Sequence, residues 1–387
     1  MKRALTAVAV MLAVGTAAGL AILWPGDTKG RVQNSLAVDT QKAEVVEVNE
    51  TTCPGLGEQS CQLVTARLTS GPGTGKRVQL QLSAVRGLDP DLDPGDDIRV
   101  TKGPAPPSGQ APIAGPAYGF YDFQRGRPML VLALIFTAIV VLFGRLRGAL
   151  SLAGLGLSLA LVLLFVVPGI LDGRPPLAVA IVGSLAVALI TIPLAHGRGP
   201  KTLAAVLGTA ASLLLTALLA LIFTKATHLT GFSNEQAASL DLAGANISLE
   251  GLVLAGMVIG ALGVLDDVTV SQASTVLALR SANPTLRFKQ LFAVAQRVGR
   301  DHVSATVNTL VLAYVGAALP ILLIFSSSDL GVGDAVSTEV VATQVVATLV
   351  GSIGLIAAVP LTTALAALLA LEEEPEAPAE LELGHSH

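Results

Sequence analysis

Runs of about twenty consecutive apolar residues recur along this chain, and they limit its fold more than any other feature. A helix that crosses the hydrocarbon core of a bilayer needs roughly 20 such residues. The composition agrees, because 52% of the 387 residues are hydrophobic and only 13% are charged. The sequence therefore predicts a protein that crosses a membrane several times, and it excludes a soluble fold. The net charge of −4 is small and gives no reason to expect nucleic acid as a partner.

The first apolar run covers residues 4–23, between the basic pair Lys2 and Arg3 and an interfacial Trp24. Its length favours an uncleaved signal anchor with a cytoplasmic N-terminus, and a cleaved signal peptide is the alternative. Hydropathy predicts seven further spans, at 128–144, 149–171, 177–195, 202–224, 249–270, 304–325 and 341–370. The expected fold is a membrane all-α bundle of about eight transmembrane helices, with a small exported β domain between helices 1 and 2.

Residues 25–117 hold the exported domain and the linker that follows it. Alternating apolar and polar residues between Gly, Pro and Asp turns predict strands at 43–48, 61–68, 78–85 and 98–100, in a sheet of barrel or OB-like type. A Pro/Gly-rich linker then leads to the aromatic residues 118–121, where we expect the chain to enter the membrane. Cys53 and Cys61 favour a disulfide on the oxidising side of the membrane, because a zinc site would lack two further ligands.

Basic residues gather in one set of the short loops, and Lys and Arg mark the cytoplasmic side of a membrane protein. That set holds Arg145, Arg147, Arg198, Lys201, Arg280, Arg287, Lys289, Arg297 and Arg300. The opposite short loops hold only Arg174 and Lys225. We therefore expect a cell (plasma) membrane protein with both termini in the cytoplasm and residues 25–126 outside. The predicted domains are an anchor (1–24), the exported β domain with its linker (25–117), a seven-helix membrane domain (118–371) and an acidic cytoplasmic tail (372–387).

Two adjacent carboxylates, Asp266 and Asp267, end the apolar run that begins at Gly251. One ionised Asp near the middle of a membrane helix costs roughly 2.5–3.5 kcal/mol, so the pair needs partners, water, a proton or a cation. Helical spacing places Ser271 and Ser274 on the same face as Asp267. The alternative is that the helix ends near Leu265, with the aspartates among the headgroups and a surface helix after them.

Gly256 and Gly260 precede this pair in a GxxxG spacing, which favours close approach of another helix. A second polar cluster begins the span at 304–325. Its members are Arg300, Asp301, His302, Thr306, Asn308 and Thr309. The hydroxyls could instead bond their own helix, with the charged residues solvated at the interface. Asn308 is harder to place in lipid, because its amide needs several hydrogen bonds.

These two polar stretches, GVLDDVTVSQAS and GRDHVSATVNTLVLAYVGAALP, resemble the paired signature of the YibE/F-like membrane proteins. The resemblance extends to YDFQRGRPML, FGRLRG and LDGRPP and covers most of residues 118–370. It implies a multi-pass bacterial membrane protein without a settled activity. Asp267 matches the single Asp of the first motif, and the second motif is matched by Arg300, Asp301, Asn308 and Thr309. Asp266 departs from that pattern, which leaves open which of the two carboxylates is functional.

Enzyme signatures are missing: there is no His-Glu-x-x-His helix, Gly-x-Ser-x-Gly elbow, phosphate-binding loop or CxxC pair. A pair of facing aspartates, as in an intramembrane protease, is a weak alternative without matching flanks. We therefore expect no enzyme, no cofactor and no bound metal. Two functions stay open. One is a secondary transporter or permease for a small solute or ion, and the other is a membrane scaffold or accessory subunit whose exported domain binds a partner protein. Association into an oligomer is open in both cases.

The transport hypothesis predicts that the span from Gly251 packs antiparallel to the span from Ser304, which would bring Asp267 near Asn308. At about 1.5 Å per residue, the aspartates lie about 24 Å along the helix from Glu250, within a hydrocarbon layer of about 30 Å. Two adjacent carboxylates there should hold one proton or cation between them. On this hypothesis Asp267→Asn abolishes any proton- or cation-dependent activity, and Asn308→Leu impairs it.

The loop charges give a topological prediction. Alkaline phosphatase, which is active only outside the cytoplasm, should be active when fused after Gly109. A fluorescent protein, which folds in the cytoplasm, should fluoresce when fused after Pro284, because the basic loops stay inside. The reverse pattern would invert every assignment of side made from the loops.

Overall fold

The computed structural model describes residues 1–26, 38–52, 60–83, 90–102, 118–233, 239, 247–327 and 331–372. It is mostly helical, with a small antiparallel sheet between the first and second long helices. The described residues fall into two compact units. A helical unit takes those within 1–33 and 144–387, and a second unit takes those within 34–143. The predicted combination of apolar helices with a small β domain is confirmed.

The sheet has five strands, which alternate inward apolar and outward polar residues over a small core of their own. The strands are β1 (Thr40–Thr52), β2 (Ser60–Leu68), β3 (Arg77–Ser83), β4 (Asp97–Lys102) and β5 (Tyr118–Phe123). Their order is β3-β2-β1-β4-β5, every pairing is antiparallel, and the edge strands β3 and β5 approach each other, so the sheet is curled.

All four predicted strands are present, and β5 is an addition. Residues 118–121 were expected at the membrane entry, whereas Phe120, together with Phe123, packs against the sheet core. Bulky aromatics suit both a membrane interface and a half-buried strand, so composition alone does not separate the two. Of the predicted disulfide, Cys53 lies outside the described residues and the side chain of Cys61 is not described.

The helices follow the apolar runs of the sequence. They are α1 (Lys2–Leu23), α2 (Gly126–Leu161), α3 (Val167–Leu171), α4 (Pro176–His196), α5 (Pro200–Ala226), α6 (Leu249–Ala282), α7 (Phe288–Ser326), α8 (Val332–Ser337) and α9 (Glu339–Ala370). A π-helical turn at Val162–Val166 joins α2 to α3. Within the described part of the chain, seven helical stretches are long and apolar enough to cross a membrane.

One of these stretches, Gly126–Leu171, is 46 residues long, about twice the length that one crossing needs. It covers the two spans predicted at 128–144 and 149–171. The break between them is Arg145, whose φ of 50° and ψ of −133° are not helical. A positive φ is uncommon for a residue with a side chain. A single residue thus interrupts the helix where the sequence predicted a loop of a few residues.

Helices α5, α6 and α9 form the centre of the helical unit, with α4 against α5 and α6, and α7 against α6 and α9. Helices α5 and α9 approach each other closely at glycine residues. A Cβ added at Gly208 of α5 would overlap Thr362 of α9, and one added at Gly354 of α9 would overlap Thr216 of α5. The two contacts run in opposite chain directions, so α5 and α9 are antiparallel.

Contacts between residues that are far apart in the sequence define two ends of this helical unit. At the end we call the Met1 end, the amine of Met1 lies 2.9 Å from Glu372 Oε1. A hydrogen bond from this amine, and another from the backbone N–H of Lys2, hold the pKa of the Glu372 carboxyl below its usual value. The two ends of the described chain therefore meet.

The opposite end, the Trp24 end, holds three further junctions. The Gly26 N–H donates to Asp172 Oδ2 at 3.1 Å. The Thr230 hydroxyl lies 2.9 Å from Glu339 Oε2, and a Cβ added at Gly251 would lie 3.0 Å from Pro176. Helices α1, α4, α5, α6 and α9 each connect the Met1 end with the Trp24 end.

The Gly354 contact gives a stability prediction. Gly354→Ala should destabilise the protein by about 1–3 kcal/mol, because the added Cβ overlaps Thr216 Oγ1 and lies 3.2 Å from Thr216 Cβ. Gly351→Ala, one turn earlier on α9, is the control, since its Cβ would meet only Leu310 at 3.6 Å. Thermal unfolding in detergent should show a lower Tm for the first variant and partial recovery with Thr216→Ala. Equal Tm values for the two alanine variants would contradict the packing.

Candidate functional site

Helix α6 carries both aspartates and continues for 34 residues from Leu249 to Ala282. Ser248 caps its start, where the Ser248 hydroxyl accepts a hydrogen bond from the Gly251 N–H at 3.0 Å. The alternative that the helix ends near Leu265 is wrong. The continuation is no surface helix either, because Val268, Gln272 and Val276 are buried among neighbouring helices.

Asp266 lines a cavity of about 490 Å³ between α2, α4 and α6. Its side chain is half-buried, and its Oδ1 atom is buried without a hydrogen-bond partner. Most of the wall is apolar, with side chains such as Leu155, Ile192 and Leu262. The cavity is open along one side, where the lining residues Ser151, Leu155, Leu159 and Gly263 are exposed, and His196 is exposed at one end of it. A carboxylate with an unpartnered oxygen in such a place needs a proton, a cation or a polar ligand.

Hydroxyl groups are the other polar features of this cavity. Ser158 donates to the Gly154 carbonyl at 2.9 Å, and Thr191 donates to the Val187 carbonyl at 2.8 Å. Both protons are thus used within their own helices, while the oxygens retain lone pairs that can accept. The polar lining therefore offers acceptors from Asp266 and the hydroxyls, together with an imidazole at the rim.

Asp267, by contrast, is exposed. Its charge acts on His196 at the end of α4, where the positive charges of Lys201 and Arg147 also act. These residues lie at the Met1 end, so a mixed cluster of charges surrounds the rim of the Asp266 cavity. The two adjacent carboxylates therefore have different surroundings. Asp266 is on the cavity wall and Asp267 is among charged groups at its rim.

The hydroxyls that sequence analysis placed with the site bond their own helices. Ser274 donates to Val270 at 2.7 Å, Thr306 to His302 at 2.9 Å and Thr309 to Ala305 at 3.1 Å. Ser271 is half-buried in α6. For Thr306 and Thr309 the structure agrees with the alternative stated from the sequence.

Helices α6 and α7 pack antiparallel. Gln272 Nε2 donates to the Ala295 carbonyl at 2.9 Å, and a Cβ added at Gly260 would lie 3.4 Å from the Tyr314 hydroxyl. No neighbour lies within 4 Å of a Cβ added at Gly256. The predicted pairing of these two spans is thus present, with α7 nearer to Gly260 than to Gly256.

The remaining candidate site residues on α7 are exposed. Arg300, Asp301, His302 and Asn308 are all exposed side chains. Asn308 and Asp267 are both exposed, and among the described residues no hydrogen bond joins them. Of all the candidate residues, Asp266 is the one that lines the cavity described above.

Sequence analysis did not single out a buried polar network at the centre of the bundle. Gln272 donates to Thr363 of α9 at 2.7 Å as well as to the Ala295 carbonyl of α7. One turn away, the hydroxyls of Thr269 and Thr209 are 2.6 Å apart and link α6 to α5. The available signal was Gln272 itself, an amide in the VSQAS segment after the aspartates, where lipid offers no partner.

No group of three or more His, Cys, Asp or Glu side chains that could hold a metal ion occurs among the described residues. The His residues of the C-terminal Gly-His-Ser-His lie outside them. The lining of the Asp266 cavity, with a single carboxylate and an exposed imidazole, differs from a closed metal site with four protein ligands. Its chemistry suits transient binding of a small polar or charged species.

The fold and the cavity define a class: a helical protein with membrane-length apolar helices and one carboxylate on the wall of a cavity between three of them. A comparison with protein families matches the YibE/F-like protein family over residues 132–372. This chain belongs to that family. Neither the curated proteins nor the solved structures gave a match. The family and the apolar helices together indicate an integral membrane protein.

The cavity gives a prediction about water. Ser158→Cys should react with a charged, water-soluble methanethiosulfonate reagent, because its side chain lines the cavity and only a thiolate in contact with water reacts quickly. Ser212→Cys is the matched control, since Ser212 is fully buried in the helical core. Mass spectrometry after labelling, with Cys53 and Cys61 replaced by Ser, measures both. No labelling at position 158 would show that water does not reach the cavity.

Proposed function

We propose that this protein is a secondary transporter or permease that moves a small solute or ion across the cell membrane. The observation that carries the proposal is the Asp266 carboxylate, which has a buried, unpartnered oxygen on the wall of a cavity between membrane-length helices. A carboxylate at such a depth is costly, and in membrane proteins it usually marks an ion, proton or substrate path. The activity needs no cofactor and no enzyme chemistry.

The order of the apolar helical stretches supports eight crossings. Helix α1 runs from the Met1 end to the Trp24 end, and a Cβ added at Gly169, near the end of α3, would lie 3.6 Å from the Leu23 carbonyl oxygen. The later part of α2 therefore begins at the Met1 end, so the chain between must cross once more. The apolar stretch before Arg145 is long enough for that crossing. Met1 and Glu372 then lie on one side, as an even number of crossings requires.

The distribution of charge indicates on which side of the membrane each end of the helical unit lies. Basic residues of the short loops gather at the Met1 end, whereas Glu250 and Glu339 begin helices at the Trp24 end. The positive-inside rule then assigns the Met1 end to the cytoplasm. In this orientation both termini are cytoplasmic, the curled sheet is exported, and the end of the Asp266 cavity at His196 lies on the cytoplasmic side. The packing of α1 against α4 and α5 supports an uncleaved anchor.

In the proposed site the two carboxylates have different roles. Asp266 binds the proton or cation, or the positive group of a solute, because its free oxygen is the only charged acceptor on the cavity wall among the described lining residues. The hydroxyl oxygens of Ser158 and Thr191 supply neutral acceptors beside it. Asp267, His196 and the nearby cationic groups set the electrostatic field at the cytoplasmic rim. We therefore assign ion binding to Asp266 rather than Asp267.

A scaffold or accessory subunit is the second candidate, and one observation favours it. The buried polar network of α6 is formed by hydrogen bonds between helices, Thr209–Thr269 and Gln272–Thr363, so these polar side chains serve helix packing. The curled sheet has its own core and would be free to bind a partner protein. This candidate predicts that the carboxylates are dispensable for function.

Flux through reconstituted protein tests the proposal. In liposomes with an imposed pH or cation gradient, the wild type should dissipate the gradient, and Asp266→Asn should reduce the flux at least about tenfold because the ion loses its charged ligand. Asp267→Asn is the matched control, an identical change on the adjacent, exposed residue, and should retain most of the flux.

Folding is checked by equal reconstitution yield and equal Tm of the variants. Equal loss in both variants would reject the assignment of ion binding to Asp266 alone. Wild-type protein without flux of protons, Na⁺ or K⁺ above that of empty liposomes would contradict the proposal as an ion transporter, and a phenotype in cells that survives both substitutions would favour the scaffold.

A further inference from the structure

Helix α7 touches the rest of the bundle along one narrow stripe. Val307, Leu310 and Tyr314 are half-buried there, at intervals of three and four residues. No residue in the most apolar stretch of α7 is buried. The helix therefore presents nearly its whole opposite face to the surroundings.

A regular row of residues runs along that uncovered face. We call it the Asn308 row, and its members are Ala305, Asn308, Leu312, Val315 and Leu319, all exposed. Leu312 is 60% exposed and Leu319 is 51% exposed. The intervals of three, four, three and four residues are those of a heptad seam, in which apolar residues meet a second helix across a left-handed crossing. One polar amide interrupts this seam.

Asn308 is the reason to expect a partner rather than lipid. It lies four residues, about 6 Å, beyond Ser304, where the predicted membrane span begins. Its amide has two N–H donors and a carbonyl acceptor, and among the described residues it has no hydrogen bond. Hydrocarbon offers none, and Asn is one of the residues whose interhelical hydrogen bonds drive association of membrane helices.

We propose that the Asn308 row is the contact through which two copies of this chain form a dimer. Copies of one protein insert with the same orientation, so two α7 helices related by a two-fold axis along the membrane normal are parallel and place both Asn308 residues at the same depth. An amide is self-complementary, because each one donates to the other's carbonyl. A single Asn within an apolar seam is also a known determinant of register and of the number of strands.

Charges at the cytoplasmic end of the row are compatible with this contact. Asp301 continues the row by one further step, and Arg297 precedes it by one helical turn, so each copy carries opposite charges beside the axis. By its composition, the first part of α2 is a poorer partner for Asn308. Between Met129 and Phe143 its only polar side chain is Thr137, which cannot match both the donors and the acceptor of an amide.

This inference is independent of transport, since it concerns a face of α7 away from the Asp266 cavity. The test is Förster transfer between donor- and acceptor-labelled full-length copies in liposomes, measured as the lipid-to-protein ratio rises. Asn308→Leu should weaken the dimer by about 3- to 30-fold, the range expected for an interhelical hydrogen bond in a membrane. Asn308→Gln should retain most of the affinity. Thr309→Val is the control, because the Thr309 hydroxyl bonds Ala305 of its own helix.

Cysteine cross-linking gives a second readout that does not depend on removing Asn308. With Cys53 and Cys61 replaced by Ser, Leu312→Cys and Leu319→Cys should form disulfide-linked dimers on oxidation. Ala313→Cys and Ala317→Cys should not, because these residues are also exposed but lie away from the row. A monomer at every lipid ratio, equal cross-linking at all four positions, or a link from position 312 to a cysteine at Leu134 of the same chain would overturn the proposal.

Discussion

Polar groups in an apolar environment must find their partners inside the protein, and the helical unit is arranged around that constraint. Leaving a buried donor or acceptor unsatisfied costs roughly 1–3 kcal/mol. Most serines and threonines with a described hydrogen bond in the long helices meet this demand through a carbonyl of their own helix, as Thr216, Ser274 and Thr363 do. Gln272 cannot, because its amide reaches beyond its own turn, and it ties α6 to α7 and α9 instead. The most polar buried side chain of α6 therefore also fixes the positions of two neighbouring helices.

Small residues complete this arrangement, because interhelical hydrogen bonds between short side chains require backbones that lie close together. Gly208 and Gly354 give α5 and α9 that approach at two heights, and Gly299 does the same for α7 beside Gln272 and Val359. In hydrocarbon there is little hydrophobic gain from bringing helices together, so close packing and such bonds supply the association energy. Some buried hydroxyls of these helices also lack a hydrogen-bond partner, namely those of Ser184, Ser212, Thr224, Ser352 and Thr362. Asp266 differs from them because it is the one carboxylate among the unpartnered buried atoms of the described residues, and a carboxylate in that position is where function is expected.

The sequence predicts the helices and four of the five strands because these follow from the local periodicity and length of apolar runs. It does not predict the break at Arg145, since a positive φ at Arg has no compositional signal. It also cannot separate Asp266 from Asp267. Both occupy one turn of one helix, and the difference depends on α2 and α4, which lie about 60 to 120 residues earlier in the chain. The Gln272 network was open to prediction only in part, because the need for partners is local but their identity depends on the packing of three helices.

The different surroundings of Asp266 and Asp267 follow from helical geometry. Consecutive residues on an α-helix point about 100° apart, so two adjacent carboxylates can have different neighbours. Asp266 lies on the cavity wall with Leu262, whereas Asp267 is exposed and its charge acts on His196 at the rim. Thr269, one turn after Asp266, donates to the Asp266 carbonyl at 3.1 Å and also contacts Thr209 of α5. The backbone at Asp266 is thus hydrogen-bonded to Thr269, which contacts α5. Movement of α5 against α6 would therefore change the position of Asp266.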